Sequence, residues 1–510
     1  MSNFQFPADE KWRGVIFWGT VILLVAVFLR TYNIFSIPIF ADEAIYIRWA
    51  QVMRAVSTLR FLPLDDGKQP LFMWLTIPFL KVIDDPLVAG RALSVLAGLG
   101  TLTGIFFVTL RLFKDKKMAL LAALVYAVSP FTVFFDRMAL VDSLLMCFGV
   151  WSLYFGILTA QELRLDWAML TGFALGFAYL TKSPGMFFLL LLPSTLLLGG
   201  FRGKGRWGKL GKLGALWLVS WAIALGMYNI LRLGPNFHML ALRNKDYVYS
   251  FSEVLRHPLD PIIPHFYDLF DWFSKMLPIT VLLIAVLGVV LALKKDWRQL
   301  LLLLGWSIGP LVIEAAFAKV FTARYVLFTL PPILIMAAYA WGKFKNKNWL
   351  TLGGAFIVLP SLFINYRVLT NPAQAPLPRE ERSGYLEEWT AGTGIREIAQ
   401  YVKTEKEQNP NQKILVGTEG FFGTLPDGLQ IYLSDIPGIV VKGVGITIYN
   451  VDQSLSDAQK AGDTVFLVVN STRFKIEQPE KVGLRLVNSY PKAQRANGTQ
   501  ESLLLLELIK

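Results

Sequence analysis

Two carboxylates, Asp42 and Glu43, stand side by side just ahead of an apolar helical pattern, Ile45–Trp49–Val52–Met53–Val56. A carboxylate held at a lipid boundary can act as a general base and take the proton of a hydroxyl nucleophile. The pair also suits a plainer role, with Asp42 as the N-cap of the helix and Glu43 in its first turn. The pattern reads as an amphipathic helix lying on a membrane, with Arg48 and Arg54 on its wet side. Next, Asp65-Asp66-Gly67-Lys68-Gln69-Pro70-Leu71 sets a lysine just above a short apolar segment. Lys68 there either meets an anionic headgroup as a point charge or simply snorkels above a turn made by Asp and Gly.

A second group lies further along. Asp136-Arg137 sits in a turn between apolar runs, and Asp142 follows one helical turn later. Lys182 lies in Thr181-Lys182-Ser183-Pro184, while Glu314, Lys319, Arg324 and Tyr325 flank the ends of two later runs. Ionisable groups near a membrane are costly unless they are paired or functional. Singly, each suits an interfacial anchor. Together they supply cations and carboxylates around one site, which fits a phosphate-bearing lipid and a base. All three histidines, His238, His257 and His265, fall in the loop 233–275 with no metal-ligand spacing. A divalent ion there would need carboxylates from elsewhere. Cys147 stands alone in an apolar run, which excludes an intrachain disulfide and a cysteine metal cluster. The chain has neither a P-loop nor a nucleic-acid module.

These residues need elements to position them, and composition says which. Only 17% of the 510 residues are charged and 54% are hydrophobic, with a mean hydropathy of +0.48 and a formal net charge of +13. Soluble proteins carry about 25% charge. From residue 371 on there are 15 Lys and Arg against 17 Asp and Glu, so the positive excess lies in the apolar part. That is the pattern of a polytopic α-helical membrane protein with basic loops on the cytoplasmic side.

Spanning needs about 20 apolar residues. The runs predict about eleven transmembrane helices, near 15–34, 86–110, 118–134, 139–160, 167–181, 184–200, 213–232, 276–293, 299–317, 325–342 and 348–366. Leu71–Ile83 is short and contains Pro78, so it reads as a re-entrant or interfacial piece. The first run lacks a small-residue cleavage site and reads as a retained anchor. With the N-terminus cytoplasmic, every strongly basic loop falls inside, including Arg202/Lys204/Arg206/Lys209/Lys212 and Lys343/Lys345/Lys347. The opposite face receives the long first loop (35–85), the turns carrying Asp136-Arg137 and Lys182, the loop 233–275 and the tail. The organisation expected is a membrane domain over 1–370, a Pro-rich linker over 371–384 and a small extracytoplasmic α/β domain over 385–510. In the tail, Gly394–Glu407 patterns as a helix. Lys413–Gly417, Gly438–Lys442, Thr464–Asn470 and Ser502–Leu508 pattern as strands.

The motifs in order resemble a family. They are the Asp-Glu pair after the first run, Lys68-Gln-Pro-Leu, Arg91-Ala-Leu-Ser-Val-Leu-Ala-Gly, Ser129-Pro130…Asp136-Arg137-Met-Ala-Leu-Val-Asp142, Leu180-Thr-Lys182-Ser-Pro184 and Ala323-Arg324-Tyr325…Leu330-Pro331. Over about residues 10–345 the chain resembles the GT-C superfamily of integral-membrane glycosyltransferases. It looks closest to the branch of protein O-mannosyltransferases and lipid A aminoarabinose transferases. The resemblance implies an inverting enzyme of the plasma or inner membrane. Such an enzyme takes a monosaccharide from a polyprenyl-phosphate carrier and gives it to a protein, glycolipid or cell-wall acceptor on the outer face. Nucleic acid is not among the expected partners.

Carried over by position, the resemblance makes Asp42 the general base and Glu43 its helper or orienter. It places Lys68 on the donor phosphate and has Arg137, Lys182 and Arg324 neutralise the leaving group. Tyr325 would hydrogen-bond that group, and Asp136 and Asp142 would support it. The family often has Glu-Lys-Pro-Pro or His-Pro-Pro where this chain has Gly67-Lys68-Gln69-Pro70. A glutamate proposed to bind metal in some relatives is therefore missing, and Asp65 or Asp66 would have to replace it. The rival class is a transporter or a flippase for lipid-linked sugars. Repeated halves would mark it, and none stand out.

Overall fold

The computed structural model describes residues 10–201, 203 and 205–509. Arg202 and Lys204, counted above with the cytoplasmic cations, lie outside the described residues. The helices in chain order are α1 (Glu10–Thr31), α2 (Ala41–Ala55), α3 (Leu71–Val82), α4 (Pro86–Phe113), α5 (Lys116–Val128), α6 (Pro130–Asp136) and α7 (Val141–Glu162). There follow α8 (Leu165–Thr181), α9 (Gly185–Leu191), α10 (Arg206–Tyr228), α11 (Met239–Tyr247), α12 (Phe251–Arg256), α13 (Ile262–Met276) and α14 (Ile279–Lys295). The rest are α15 (Trp297–Phe317), α16 (Leu330–Lys343), α17 (Lys347–Thr370), α18 (Arg379–Arg382), α19 (Ile395–Gln408), α20 (Asp427–Leu433) and α21 (Gln453–Lys460).

Every run expected to span is helical. Among the described residues seven helices are long and apolar enough to cross a membrane, and nine if two bent pairs each count as one span. The bent pairs are α5 with α6, at 61°, and α13 with α14, at 110°. Pro130 opens α6 and Pro278 caps α14, so a proline sits at each break. The two remaining runs are shorter. α8 has 17 residues, and α9 passes into a 3-10 turn, Leu192–Leu198, that starts on a proline.

The chain forms two compact units. The first comprises Met1–Tyr32, Arg60–Phe72 and Leu93–Arg367. In it α8 packs between α7 and α10, α14 packs on α16, and α5 lies against α1 and α16. Small residues allow the close crossings, as is usual between membrane helices. A Cβ on Gly288 of α14 would stand 2.1 Å from the Met336 carbonyl oxygen of α16.

The second unit comprises Asn33–Leu59, Met73–Ala92 and Val368–Lys510. Its sheet has the order β2-β1-β3-β5-β4, with β1 Ile414–Glu419, β2 Ile439–Gly445, β3 Thr464–Asn470, β4 Leu484–Pro491 and β5 Ser502–Leu508. β1 pairs in parallel with β2 and β3, and β5 pairs antiparallel with β3 and β4. Val465, Leu467, Val469, Leu484, Leu506 and Leu455 of α21 form one buried core. The four expected strands are present. β4 is additional, and most of its side chains are exposed, as befits an edge strand. Residues 371–384 carry a 3-10 turn, Pro372–Gln374, and α18. The helix α2 packs on α20, with Ala44 3.8 Å from the Cβ position of Gly428. Gln51 Nε2 donates to the Ile431 carbonyl at 2.8 Å.

Candidate functional site

In the second unit, α2 begins at Ala41, so Asp42 lies within its first turn and is partly exposed. The capping role open to Asp42 on sequence belongs to Glu43, whose Oε2 accepts the Phe40 N–H at 3.0 Å. Glu43 is also locked from the other side. Arg91 Nε donates to Oε1 at 2.9 Å and Arg91 Nη2 to Oε2 at 2.8 Å, with exposures of 1% and 0% for the two side chains. Arg91 further donates to the carbonyls of Ile34, Ile37 (3.0 Å) and Pro38 (3.2 Å). One guanidinium thus ties the chain ahead of α2 to the second residue of the Asp-Glu pair. Glu43 is a positioning group here, with both oxygens occupied.

In the first unit, Lys68 follows the 3-10 turn Leu62–Asp66. Gly67 takes φ +66°, and a Cβ there would come within 2.5 Å of Arg243 Cβ, so only glycine serves. Lys68 Nζ lies 3.1 Å from Asp66 Oδ2, and Arg243 Nη2 lies 2.8 Å from Asp66 Oδ1. Asp65 accepts from Asn236 Nδ2 at 2.6 Å. The next residue, Gln69, donates to Ser183 Oγ at 2.9 Å, which joins the Lys68 turn to the Lys182 turn.

Lys182 adopts extended backbone at the end of α8. The turn after it is tight, because a Cβ on Gly185 would meet the Ala178 backbone at 2.6 Å. Lys182 Nζ donates to Asp142 Oδ1 at 2.7 Å and stands 3.7 Å from the centre of the Tyr325 ring. The Arg324 guanidinium lies 5.3 Å from the same ring. Lys182, Arg324, Tyr325 and Asp142 therefore form one cluster, and the Gln69–Ser183 bond brings the Lys68 turn beside it. Two cations lie over the Tyr325 ring, and such contacts hold positive charge in place away from bulk water.

Asp136 and Arg137 are used differently. Asp136 is fully buried and pairs with Arg30 Nε at 2.9 Å and with the Tyr126 hydroxyl at 2.8 Å. Arg137, 1% exposed, donates to the carbonyls of Leu29 (3.1 Å) and Tyr32 (2.7 Å) at the end of α1. The histidines do not meet. His238 precedes α11, His257 faces Asp260 at 3.4 Å on the surface, and His265 Nδ1 contacts the Ala315 carbonyl at 2.8 Å. Among the described residues no three His, Cys, Asp or Glu side chains gather to hold an ion. Asp65 and Asp66 are engaged by Asn236, Lys68 and Arg243, so the residues nominated for a metal do not fit one.

Sequence reasoning missed Arg243 as the partner of Asp66, because nothing local marks a pair 177 residues apart. It also missed Asp427. Burial pushes its carboxyl up to about 6, opposed by the Gly423 N–H, which it accepts at 2.7 Å, and by Arg48.

Residues 67–224 match the family model described as dolichyl-phosphate-mannose-protein mannosyltransferase. The structure superimposes on apo ArnT from Cupriavidus metallidurans with a TM-score of 0.58 at 16% identity, covering 98% of each chain. The chain has the GT-C fold. The same enzyme bound to undecaprenyl phosphate superimposes equally well. The oligosaccharyltransferase AglB from Archaeoglobus fulgidus, in complex with an inhibitory peptide and a dolichol-phosphate, matches with a TM-score of 0.50 at 12% identity. That match covers 96% of this chain and 74% of AglB. A search by sequence among curated proteins finds no match. The family-model match contains Lys68, Arg137, Asp142 and Lys182 of the GT-C fold and begins after Asp42.

Proposed function

We propose that this protein is an inverting glycosyltransferase. It moves a monosaccharide from a polyprenyl-phosphate carrier to a protein, glycolipid or cell-wall hydroxyl at the outer face of the plasma or inner membrane. The N-terminus is cytoplasmic and the α/β domain extracytoplasmic, as the distribution of Lys and Arg over the loops favours. The observation that carries the reading is the Lys182–Tyr325–Arg324 cluster beside the Lys68 turn, in a chain with the GT-C fold.

The chemistry follows from charge. The acceptor hydroxyl gives its proton to Asp42 and its oxygen attacks the anomeric carbon. The bond from that carbon to the phosphate oxygen breaks on the opposite side, and the carrier leaves as a polyprenyl phosphate. Negative charge grows on the departing oxygen. Lys182, Arg324 and Lys68 stabilise it, because cations already in place need no reorganisation at the moment of transfer. Tyr325 donates a hydrogen bond to the phosphate. Asp142 fixes the Lys182 ammonium, and Glu43 fixes the turn that carries Asp42. Arg137, whose Nη1 donates to the Leu29 and Tyr32 carbonyls, holds the end of α1 in place.

The test is transfer in vitro from radiolabelled polyprenyl-phosphate sugars to crude membrane acceptors. Asp42→Asn should abolish transfer in a folded protein, and Lys68→Ala should weaken donor binding more than acceptor binding. Wild-type rates in purified Asp42→Asn would remove the base. No transfer from any donor by well-folded protein would move the assignment to a transporter of lipid-linked sugars.

A further inference from the structure

The α/β part of the second unit has a feature that a spacer domain would not need. β2 and β3 lie on opposite sides of β1, so the crossover from β1 to β2 and the crossover from β2 to β3 run in opposite directions and the strand order reverses between β1 and β3. In open α/β sheets, ligands bind outside the carboxyl ends of the strands at that point of reversal. Here those ends carry Gly420-Phe421-Phe422-Gly423 after β1 and Ser471-Thr472-Arg473 after β3.

Phe421 and Phe422 are 66% and 46% exposed and Trp389 is 38% exposed, an aromatic group in the open. The loop is held in shape. Gly420 and Gly423 both take positive φ, Gly423 N–H donates to Asp427, and the Cβ position of Gly423 is 3.9 Å from the Trp389 ring. Arg473 is fixed over the Trp389 face at 4.2 Å, with one nitrogen 3.5 Å from the buried Glu419. A guanidinium has five N–H donors. Apart from that one contact, those of Arg473 have no acceptor among the described residues. Aromatic faces beside unspent, immobilised donors suit a ring that is C–H on its faces and hydroxyl at its rim. A continuous apolar patch would instead mark a protein contact.

The loop also reaches the candidate base. Phe422 packs on Trp49 of α2 at 5.7 Å, and Trp49 on Tyr46 at 6.1 Å. Asp42, Tyr46 and Trp49 are spaced i, i+4, i+7 and so share one face of α2. We infer that Trp389, Phe421, Phe422 and Arg473 form the acceptor subsite, and that the acceptor is a saccharide presented by a glycolipid or glycan. The inference rests on the transferase reading above.

The test uses the full chain in nanodiscs and three probes: mannotetraose, chitotetraose and an uncharged peptide rich in Ser and Thr. Binding is read by saturation-transfer NMR, and transfer by the radiolabel assay. Trp389→Ala, Phe422→Ala and Arg473→Gln should each weaken tetrasaccharide binding and raise the acceptor KM about tenfold, with kcat and donor KM unchanged. Trp389→Phe should recover most of the loss, which a folding defect would not allow. Asp42→Asn should bind the tetrasaccharide as wild type does while transferring nothing. Saccharide binding unchanged in the three variants overturns the subsite, as does binding of the peptide alone. Transfer by Asp42→Asn would instead overturn the choice of base, and the binding arm would still decide the subsite.

Discussion

Glu43→Gln is the sharpest structural test of how the Asp-Glu pair is built. The substitution keeps the shape of the side chain and removes its charge opposite a guanidinium that is 1% exposed. Breaking a buried ion pair from one side costs about 3–5 kcal/mol, because the remaining charge stays buried. The lower end applies here, since the carbonyls of Ile34, Ile37 and Pro38 continue to accept from Arg91. About 3 kcal/mol in a unit of roughly 150–250 residues lowers Tm by about 6–12 °C. The assay is tryptophan fluorescence during heating at one fixed scan rate, in detergent, because unfolding of such chains is seldom reversible. Combining Glu43→Gln with Arg91→Met should cost less than the sum of the two single losses, because both substitutions break the same buried pair. A single variant within 2 °C of wild type, or a double variant that merely adds the two losses, would refute the clamp.

Three further outcomes are expected. Lys182→Ala should lower donor affinity at least about tenfold and destabilise the fold by leaving Asp142, 3% exposed, without its cation. Adding Asp142→Asn should restore stability but not donor affinity, and a titration with lipid-linked sugar checks both. Asp427 has a folded pKa of about 6, above its usual 3.8, so its ionisation opposes folding. The wild type should match Asp427→Asn below pH 4 and fall behind it as pH rises through 6, by at most about 3 kcal/mol. Melting curves of the two proteins from pH 4 to 8 read the difference. Gly98→Ala should destabilise the first unit by about 1–3 kcal/mol, as overpacking does, because the new Cβ would meet Asp136 Oδ2 at 2.4 Å. An unchanged Tm would mean the Arg30–Asp136 pair has room to move.

The membrane helices and the sheet of the tail were legible because both rest on periodic burial. Val465, Leu467 and Val469 alternate into one core, and α19 shows one apolar face, with Ile395, Ile398, Ala399 and Val402 buried. β4 was not legible, since an edge strand with mostly exposed side chains carries no such alternation. Span ends blurred where a helix bends at proline, as at Leu277–Pro278. The site residues were legible as types in motifs, but their partners were not. Arg91 meets Glu43 across 48 positions and Lys182 meets Asp142 across 40, and no local pattern encodes such pairings.

The cations show why partners matter more than charge. On sequence, Lys68, Arg137, Lys182 and Arg324 form one set, four positive groups where topology asks for none. In the fold they separate by what faces them. Arg137 is anchored through Nη1 to two backbone carbonyls, fixed dipoles that cannot be displaced without unwinding the end of α1. Lys182 meets a carboxylate and a tyrosine face, and Arg324 shares that ring. A ring face attracts a cation without taking a hydrogen bond from it, so an ammonium held there can still donate to a phosphate. Lys68 lies between these cases, sharing Asp66 with Arg243, so an arriving phosphate competes with one carboxylate for two cations. The ordering that follows is physical. Replacing Arg137 should cost stability first, replacing Lys182 or Arg324 should cost donor affinity first, and replacing Lys68 should cost donor affinity in a way that Asp66→Asn partly reverses.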